Sequence, residues 1–263
     1  MAALLLSLVA VVPIISMVNP AEADAARRVV LGKANMRELD PNCGKSNPGA
    51  ECTAEGKITG YQALSRENPG RNFVVPFEGK VVSWSIELAN PTKRDTETSL
   101  GEVPFFNSLF GTPAQARISV LKRVEKRKKG PPRYKMVRQS PVQILNPYFG
   151  TTVQFALSKP LNVIRNQIVA LTIPTWAPAT WKPASCNDSE FKLPACEKAE
   201  KDYTWRGSRA PDKCSIGFDL ATREPNEALA KSHPQQKVGS VKRYGCYYGA
   251  NVLLYSATII EKP

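Results

Sequence analysis

Histidine is nearly absent from this chain of 263 residues, in which His233 is the only one. It lies in AKSHPQQK, a polar stretch typical of a solvated turn rather than of a catalytic base. The chain also lacks a G-x-S-x-G nucleophile elbow, an H-E-x-x-H metal motif and a phosphate-binding glycine loop. These absences argue against serine hydrolases, zinc enzymes and nucleotide-dependent enzymes. We therefore predict no cofactor, no metal site and no catalytic residue.

Long apolar runs are absent beyond residue 18. Residues 2–18, AALLLSLVAVVPIISMV, precede small residues that offer two cleavage sites of A-x-A type, which is typical of a signal peptide. The alternative is an uncleaved membrane anchor, but a bilayer span needs about 20 apolar residues, and this run is shorter and contains Pro13. We therefore expect residues 1–25 to be a signal peptide, with no transmembrane span in the mature chain. The protein is predicted to be secreted, and to be extracellular or associated with the cell wall.

Acidic side chains are scarce relative to basic ones, with 23 Asp and Glu against 36 Lys and Arg and a net charge of +13. A charge of this size favours anionic partners such as glycopolymers, lipid surfaces or nucleic acid. No nucleic-acid-binding motif accompanies the charge, so a dedicated nucleic-acid partner is not predicted. The expected partner is an anionic cell-wall polymer or a polysaccharide.

Helical periodicity is missing from most of the chain, which 22 prolines and 16 glycines divide into short pieces. Instead, Val82, Trp84 and Ile86 alternate with polar residues, and residues 153–157 and 169–173 repeat the alternation. Short alternating strands separated by Gly and Pro turns predict an all-β fold. The expected architecture is an antiparallel β-sandwich, jelly-roll-like, with a disulfide-stapled loop-rich extension.

The start of this alternation divides the mature chain into two parts. Residues 26–72 are polar and turn-rich, and they predict an extended N-terminal arm with a local disulfide and one strand at most. Residues 73–263 are assigned to the β-sandwich, with a loop-rich insertion at about residues 174–243. Within the sandwich, residues 91–115 predict a long loop whose apolar residues cap the core, and residues 226–232 favour a short helix.

Six cysteines are present and none lies in the predicted signal peptide, so oxidised pairs are expected in an exported protein. Local pairing is favoured where two cysteines bracket a short segment, and the remaining pair follows by elimination. A structural zinc site is disfavoured because the spacing is wide and histidine is scarce. The expected disulfides are Cys43 with Cys52, Cys186 with Cys196, and Cys214 with Cys246.

Three consecutive segments carry a family resemblance. PFEGKVVSWSIEL, then ARISVLKR with YKMVRQSPVQI, then TTVQFALSKPLNVIRNQIVALTIP together resemble a β-sandwich module of secreted actinobacterial proteins of unknown function, over about residues 73–175. The chain departs from the family pattern at residues 165–167, Arg-Asn-Gln, where a Gly-Asp turn is usual. The resemblance implies a jelly-roll scaffold similar to carbohydrate-binding modules and lectins, and it implies no catalytic residue.

A cationic hairpin is the first candidate binding site. Residues 116–124 and 134–145 predict two strands, joined through KRVEKRKKGPPRYK around a Gly-Pro-Pro turn. A protruding turn of this kind holds its charges in solvent, where they can pair with an anionic polymer. The alternative is a solvated hairpin end whose lysines prevent edge-to-edge strand pairing. The predicted polyanion-binding residues are Lys126, Arg127, Lys128, Lys129 and Arg133.

Aromatic residues in the loop-rich region form the second candidate site. PTWAPATWKPASC and KDYTWRGSR place three of the four tryptophans there. Exposed rings would stack on sugars, whereas the alternative is that these rings form a small core of their own. The predicted ligand-contacting aromatic residues are Trp176, Trp181, Tyr203 and Trp205.

We therefore predict a secreted, non-catalytic protein that binds a cell-envelope or extracellular ligand. One alternative is a purely structural surface protein. The other is a secreted polysaccharide hydrolase, because such an enzyme needs only two carboxylates and several follow Trp181 in sequence. These carboxylates are Asp188, Glu190, Glu197 and Asp202.

Overall fold

The computed structural model describes residues 26–33, 35–43, 52–64, 72–91, 101–124, 130–186, 194–214 and 224–262. The predicted signal peptide, residues 1–25, lies outside this part of the chain. Strands are the main regular structure of the described residues, and every pair of strands among them is antiparallel. The expected all-β, antiparallel sandwich is confirmed, whereas its jelly-roll connectivity stays a prediction.

The smaller sheet has four strands. In spatial order they are β1 (Arg28–Leu31), β14 (Tyr255–Glu261), β3 (Gly79–Glu87) and β7 (Thr152–Val163). The C-terminal strand β14 pairs with β1 on one side and β3 on the other. The two ends of the described chain therefore meet within one sheet.

The larger sheet has eight strands. Seven follow one path: β11 (Val241–Arg243), β5 (Arg133–Gln139), β4 (Gln115–Arg123), β8 (Ile168–Ala177), β2 (Glu55–Leu64), β10 (Thr204–Gly207) and β12 (Cys246–Gly249). The eighth, β6 (Gln143–Ile144), pairs with β4 beside this path. A separate two-stranded sheet joins β9 (Thr180–Trp181) to β13 (Val252–Leu253).

Helices are short and lie between the strands. They are α1 (Asn35–Glu38), α2 (Glu102–Phe110), α3 (Pro194–Asp202) and α4 (Glu227–Ala230). Single 3-10 turns occur at Asn146–Tyr148, Ala184–Cys186 and Pro211–Lys213. The α4 helix confirms the short helix expected from NEALAKS, and the side chain of Asn226 caps it by accepting from the amide of Leu229 at 2.9 Å.

One hydrophobic core contains side chains from both large sheets. Trp84 and Ile86 reach it from β3, and Ile118 reaches it from β4. All three are fully buried, and burial of a large apolar side chain contributes about 1.5–3 kcal/mol. Tyr255 of β14 also joins the two sheets, because its hydroxyl donates to the carbonyl oxygen of Val169 in β8 at 3.0 Å.

The inward face of β3 differs from its predicted alternation at one position. Trp84 and Ile86 point inward as expected, but Val81 is fully buried whereas Val82 is only half-buried. The register with β7 shifts between Val81 and Ser83, as at a β-bulge. An extra residue of this kind reverses the side chains before it, and strict alternation in a sequence does not reveal it.

A polar layer covers the face of the larger sheet that points away from the smaller sheet. We call residues 232–240 the covering segment. The amide of Gln235 donates to Oγ1 of Thr59 in β2 at 3.0 Å, and its side-chain nitrogen donates to the carbonyl oxygen of Tyr134 in β5 at 3.1 Å. Arg117 of β4 donates to the carbonyl oxygen of Gln236 at 3.3 Å. The intervening strand β8 is therefore buried on both faces over residues 168–173, where an alternation of buried and exposed residues was predicted.

Residues 26–72 were expected to hold one strand at most, but this region supplies two strands, and one of them, β2, lies inside the larger sheet. The segment EGKITGYQAL contains two glycines, and glycine in a sequence is commonly a signal of a turn. In the structure a Cβ on Gly60 would lie 2.7 Å from the ring of Trp205. Glycine is therefore required there for close packing and does not end the strand.

Two other expected loops also contain regular structure. Residues 102–110, within the loop expected over residues 91–115, form the helix α2. Pro104 lies in its first turn, where a missing amide proton costs no helical hydrogen bond. Phe106, Leu109 and Phe110 are buried against the core, which confirms that this segment caps it. The insertion expected at residues 174–243 is likewise not only loops, because β10 forms an inner strand of the larger sheet.

All three expected disulfides are present, and the described residues contain no free cysteine. Cys43–Cys52 and Cys186–Cys196 close short segments. Cys214–Cys246 joins the segment after β10 to the edge strand β12. Each disulfide restricts the unfolded chain and contributes about 2–4 kcal/mol.

Candidate functional site

The cationic hairpin predicted from the sequence is present, with β4 and β5 as its paired strands. Four of its predicted ligand-binding residues, Lys126, Arg127, Lys128 and Lys129, lie outside the described residues. The fifth, Arg133, begins β5 and is half-buried. The structure therefore describes the base of the hairpin, where its two strands join the larger sheet.

A third strand extends the basic surface. Arg243 of β11 is the direct partner of Arg133 in β5, and Lys135 of β5 is the direct partner of Lys122 in β4. Partner residues share a face of a sheet, as do residues two positions apart on one strand, so all four side chains project from the same face. We call them the cationic sheet end: Lys122, Arg133, Lys135 and Arg243.

Repulsion between like charges at the cationic sheet end lowers the stability of the folded protein when no ligand is bound. Lys122 faces Lys135, and Arg133 faces Arg243. Like charges directly opposite each other on neighbouring strands destabilise a sheet by up to about 1 kcal/mol per pair. Within the part of the chain that the structure describes, no carboxylate forms an ion pair with any of the four. The described part of this surface therefore lacks a carboxylate that would offset this repulsion.

The contribution of β11 was not predicted from the sequence. Arg243 and its neighbour Lys242 lie more than a hundred positions after the hairpin, and only strand pairing brings them beside it. The signal in the sequence is slight, two basic residues in the short β-branched segment SVKRYG. A local pattern cannot indicate which strand becomes the neighbour of which.

The aromatic candidate site is corrected by burial. Trp176 and Trp205 have no exposed surface and Tyr203 is 5% exposed, so none of the three rings is available to stack on a sugar. Trp181 is half-buried and packs edge-on against Tyr203, with ring centroids 5.4 Å apart. The alternative, that these rings form a small core of their own, holds only in part. Trp176 and Trp205 belong to the main hydrophobic core, whereas Tyr203 belongs to a separate small cluster against which Trp181 packs.

Their neighbours explain why the rings are buried. Trp176 packs against Phe106 of α2 at 5.1 Å, and its indole nitrogen donates to Oδ1 of Asn107 at 2.9 Å. Trp205 stacks on Tyr248 of β12 at 4.0 Å, beneath the main chain of β2. A tryptophan in a Pro-rich segment gives no local sign of whether a distant helix or strand will cover it.

Tyr247 is an exposed aromatic residue that the sequence did not single out. Its side chain is 57% exposed on the edge strand β12, and the guanidinium of the buried Arg206 lies 3.6 Å from its ring centroid. This contact is a cation–π pair that fixes the ring on the surface. The pattern CYYG gave no reason to separate Tyr247 from Tyr248, which points the other way in the strand.

The carboxylates considered for hydrolysis are only partly described. Asp188 and Glu190 lie outside the described residues, whereas Glu197 and Asp202 belong to α3. Two other carboxyl groups have strongly shifted pKa values. Burial raises the pKa of Glu55 to about 7 against the opposing effect of the Arg209 guanidinium.

The second shifted carboxyl belongs to Glu87 in β3. Burial raises its pKa to about 7, and the neighbouring Asp40 carboxylate adds to the rise. Glu55 belongs to the larger sheet and Glu87 to the smaller one. Neither stood out in the sequence, because burial by distant segments causes both shifts.

Other features bear on function more broadly. Among the described residues, no three His, Cys, Asp or Glu side chains come together as a candidate metal site. No helix in this part of the chain is long and apolar enough to cross a membrane. Comparison with protein-family models, with curated proteins and with solved structures found no match. The resemblance to secreted actinobacterial modules therefore stays a prediction.

Proposed function

We propose that this protein is a secreted, non-catalytic binding protein that holds an anionic polymer of the cell envelope or extracellular space at the cationic sheet end. The observation that carries the proposal is the presence of two like-charge pairs at directly opposite positions of neighbouring strands, Lys122 with Lys135 and Arg133 with Arg243. Such pairs reduce stability unless a counter-charge is supplied, and no described carboxylate supplies one. A polymer with repeated negative charges would supply it from outside.

The spacing of the four cations supports a repeating ligand. Neighbouring strands lie about 4.8 Å apart, and residues two positions apart on a strand lie about 6.6 Å apart. The cationic sheet end is therefore a small grid of positive charges spread over three strands. A flexible chain with charges at similar intervals follows such a grid without needing an enclosed pocket, and its binding is sensitive to salt.

Export supports a ligand outside the cell. Three disulfides are consistent with an oxidising compartment, where structural disulfides persist. Residues 1–25 have the composition of a signal peptide. In that compartment the mature protein would meet envelope and extracellular polymers directly.

A second candidate ligand is an anionic membrane surface. Val238 and Val241 are 48% and 37% exposed, and Val241 is the direct partner of Lys135. Apolar side chains beside cations favour an anionic membrane, since the cations contact headgroups while the apolar groups enter the interface. We place this candidate second because two valines offer little apolar area.

The test is a co-sedimentation experiment on the purified, oxidised protein with cell wall, insoluble polysaccharides and lipid vesicles, at low and high salt. One variant changes Lys122, Arg133, Lys135 and Arg243 to Ser. The control variant changes the exposed Lys33, Lys80, Lys159 and Lys198 to Ser, which removes the same number of positive charges elsewhere. Comparison of the two variants separates a local site from net charge.

The proposal expects the parent and the control variant to bind an anionic polymer at low salt, high salt to release both, and the four-residue variant to stay in solution. Binding only to phosphatidylglycerol vesicles would support the membrane candidate instead. Equal loss of binding in both variants would overturn a local site. Shortening of the polymer during incubation would favour the hydrolase alternative.

A further inference from the structure

A basic pocket lies on the other side of β11, away from the four residues of the cationic sheet end. The cavity has a volume of about 180 Å³. It lies between the segment that follows β10, the end of α4 and the strand β11. Among the residues that the structure describes, its lining contains four cationic side chains and no carboxylate. The polar lining residues include Ser208, Arg209, Lys213, Lys231 and Lys242.

Arg209 is the fixed charge of the basic pocket. It is 4% exposed, and its guanidinium donates to Oγ of Ser232 at 2.9 Å, the hydroxyl of Tyr248 at 2.6 Å and the carbonyl oxygen of Gly56 at 2.6 Å. All three acceptors are uncharged, so they orient the guanidinium without neutralising it. The nearby Glu55 balances this charge only in part, because burial raises its pKa to about 7.

Lysines complete the charge of the pocket. The ammonium group of Lys242 donates to the carbonyl oxygen of His233, which again fixes the position of a cation with a neutral acceptor. Lys213 and Lys231 share one carboxylate oxygen of Glu227, at 3.8 and 2.7 Å. Among the described residues, the site therefore has four positive side chains, and Glu227 is the carboxylate that forms ion pairs with two of them.

A neutral donor is also available. The hydroxyl of Ser208 accepts from the amide of Thr59 at 3.1 Å, which leaves its own proton free to be donated. A buried guanidinium, a buried hydroxyl and partly exposed ammonium groups around a small cavity suit an ion with several acceptor oxygens. The cavity is smaller than the roughly 300–1,000 Å³ of sites for drug-sized ligands, so the ligand or the part of it inside is compact.

We propose that the basic pocket binds a compact tetrahedral oxyanion, phosphate or sulfate, either free or as the terminal ester of a larger molecule. A doubly charged anion offsets the excess positive charge better than a carboxylate does. Lys242 and Arg209 would hold it from the buried side, and Lys213 and Lys231 from the solvent side. This site shares no residue with the cationic sheet end, so either proposal can fail without the other.

The experiment is isothermal titration calorimetry of the purified, oxidised protein with inorganic phosphate and with sulfate, at constant ionic strength maintained with sodium chloride. Lys242→Met removes a pocket charge and keeps the length of the side chain. Lys122→Met makes the same change in β4, outside the pocket. Glu227→Gln removes the carboxylate that occupies Lys213 and Lys231.

The expected result is saturable binding by the parent, weakened about tenfold by Lys242→Met and unchanged by Lys122→Met. Glu227→Gln should strengthen binding several-fold, because it frees two lysines. If circular dichroism shows that the Lys242→Met variant is not folded, Lys213→Met replaces it in the test and is expected to weaken binding. No saturable heat with either anion, or equal weakening by Lys122→Met and Lys242→Met, would overturn the proposal.

Esters separate the two sources of the anion. Glycerol 3-phosphate is titrated beside inorganic phosphate under the same conditions. Tighter binding of inorganic phosphate would assign the pocket to the free ion, and tighter binding of the ester would assign it to a terminal phosphate group. Both outcomes support the site, whereas the absence of saturable binding by either compound contradicts it.

Discussion

Beneath the covering segment the side-chain hydroxyl groups of the larger sheet are buried and hydrogen-bonded, whereas the charged side chains of the cationic sheet end are exposed or half-buried and form no ion pair with a described carboxylate. The hydroxyl of Thr172 lies 3.0 Å from that of Thr59 and 2.7 Å from that of Ser119, so three strands are joined by one line of contacts. On β4, the same strand as Ser119, Lys122 faces Lys135 of β5. One sheet therefore contains both buried polar side chains that are hydrogen-bonded and charged side chains that lie opposite a like charge.

The difference separates residues that hold the sheet together from residues that are available to a ligand. A buried polar group without a partner costs about 1–3 kcal/mol, so the groups beneath the covering segment require their partners. Repulsion between exposed like charges costs less and is tolerated in the folded protein. We therefore expect changes beneath the covering segment to act on stability, and changes at the cationic sheet end to act on binding.

The largest effect on stability is expected from Gln235→Ala. The side chain of Gln235 donates to the carbonyl oxygens of Tyr134 and Ser240 and accepts from the hydroxyl of Tyr244 at 2.9 Å. Its loss leaves these buried groups unpaired and should lower the free energy of unfolding by about 3 kcal/mol, measured by urea denaturation. The folded variant should still bind polymer like the parent.

Gln236→Ala is the matched control for this change. Gln236 is the exposed neighbour of Gln235, and its side-chain oxygen accepts only a weak bond from Arg117 at 3.3 Å. Its replacement should alter stability by less than about 1 kcal/mol. Equal losses in the two variants would show that the covering segment does not depend on buried hydrogen bonds.

The second effect is a dependence of stability on pH. The pKa of Glu55 is about 7 in the folded protein against 4.5 for an ordinary glutamate, so the folded state keeps a proton that the unfolded state loses in this window. The folded state binds more protons there, and the free energy of unfolding contributed by Glu55 falls as pH rises from about 4.5 to about 7. Glu87 contributes with the same sign.

Glu55→Gln isolates the share that belongs to the larger sheet. The variant should match the parent near pH 4, where Glu55 is neutral in both states, and exceed it at pH 8 by up to about 3 kcal/mol. Denaturation with urea across this range measures the difference, and Glu87→Gln serves as the corresponding change in the smaller sheet. Parallel stability curves for Glu55→Gln and the parent would contradict a buried, neutral Glu55.

The smallest effect on stability, with a clear effect on binding, is expected from Lys122→Glu. This change turns the like-charge contact with Lys135 into an ion pair and should stabilise the sheet by about 0.2–1 kcal/mol. It also removes a cation from the cationic sheet end, so polymer binding should weaken. The control is Lys80→Glu, because the direct partners of Lys80 in the smaller sheet, Asn162 and Ile260, are uncharged. This variant should not combine higher stability with weaker binding. Stronger binding by Lys122→Glu would argue against electrostatic attraction.

Much of the fold was accessible from local patterns. Alternation placed the strands around Trp84 and Phe155, the Gly-Pro-Pro turn indicated the hairpin, and short cysteine spacings favoured two of the disulfides. Each of these features depends on residues that are near one another in sequence. Local propensity and turn chemistry therefore determine them directly.

Features that depend on distant segments were not accessible. The position of β2 inside the larger sheet was not predicted, because its Gly60 is required by the ring of Trp205, which lies in β10. The bulge at Val82 depends on pairing with β7, and the burial of Trp176 depends on α2. The cationic sheet end itself is completed by Arg243, whose strand joins the hairpin only after folding.

The most direct test of the central claim is the salt dependence of binding to a soluble polyanion such as polyphosphate. The slope of the logarithm of the binding constant against that of the salt concentration counts the cations engaged with the polymer. Loss of Lys122, Arg133, Lys135 and Arg243 should reduce the magnitude of this slope by about 3, whereas loss of Lys33, Lys80, Lys159 and Lys198 should leave it as in the parent. Equal slopes for the two variants would contradict a binding site at the cationic sheet end.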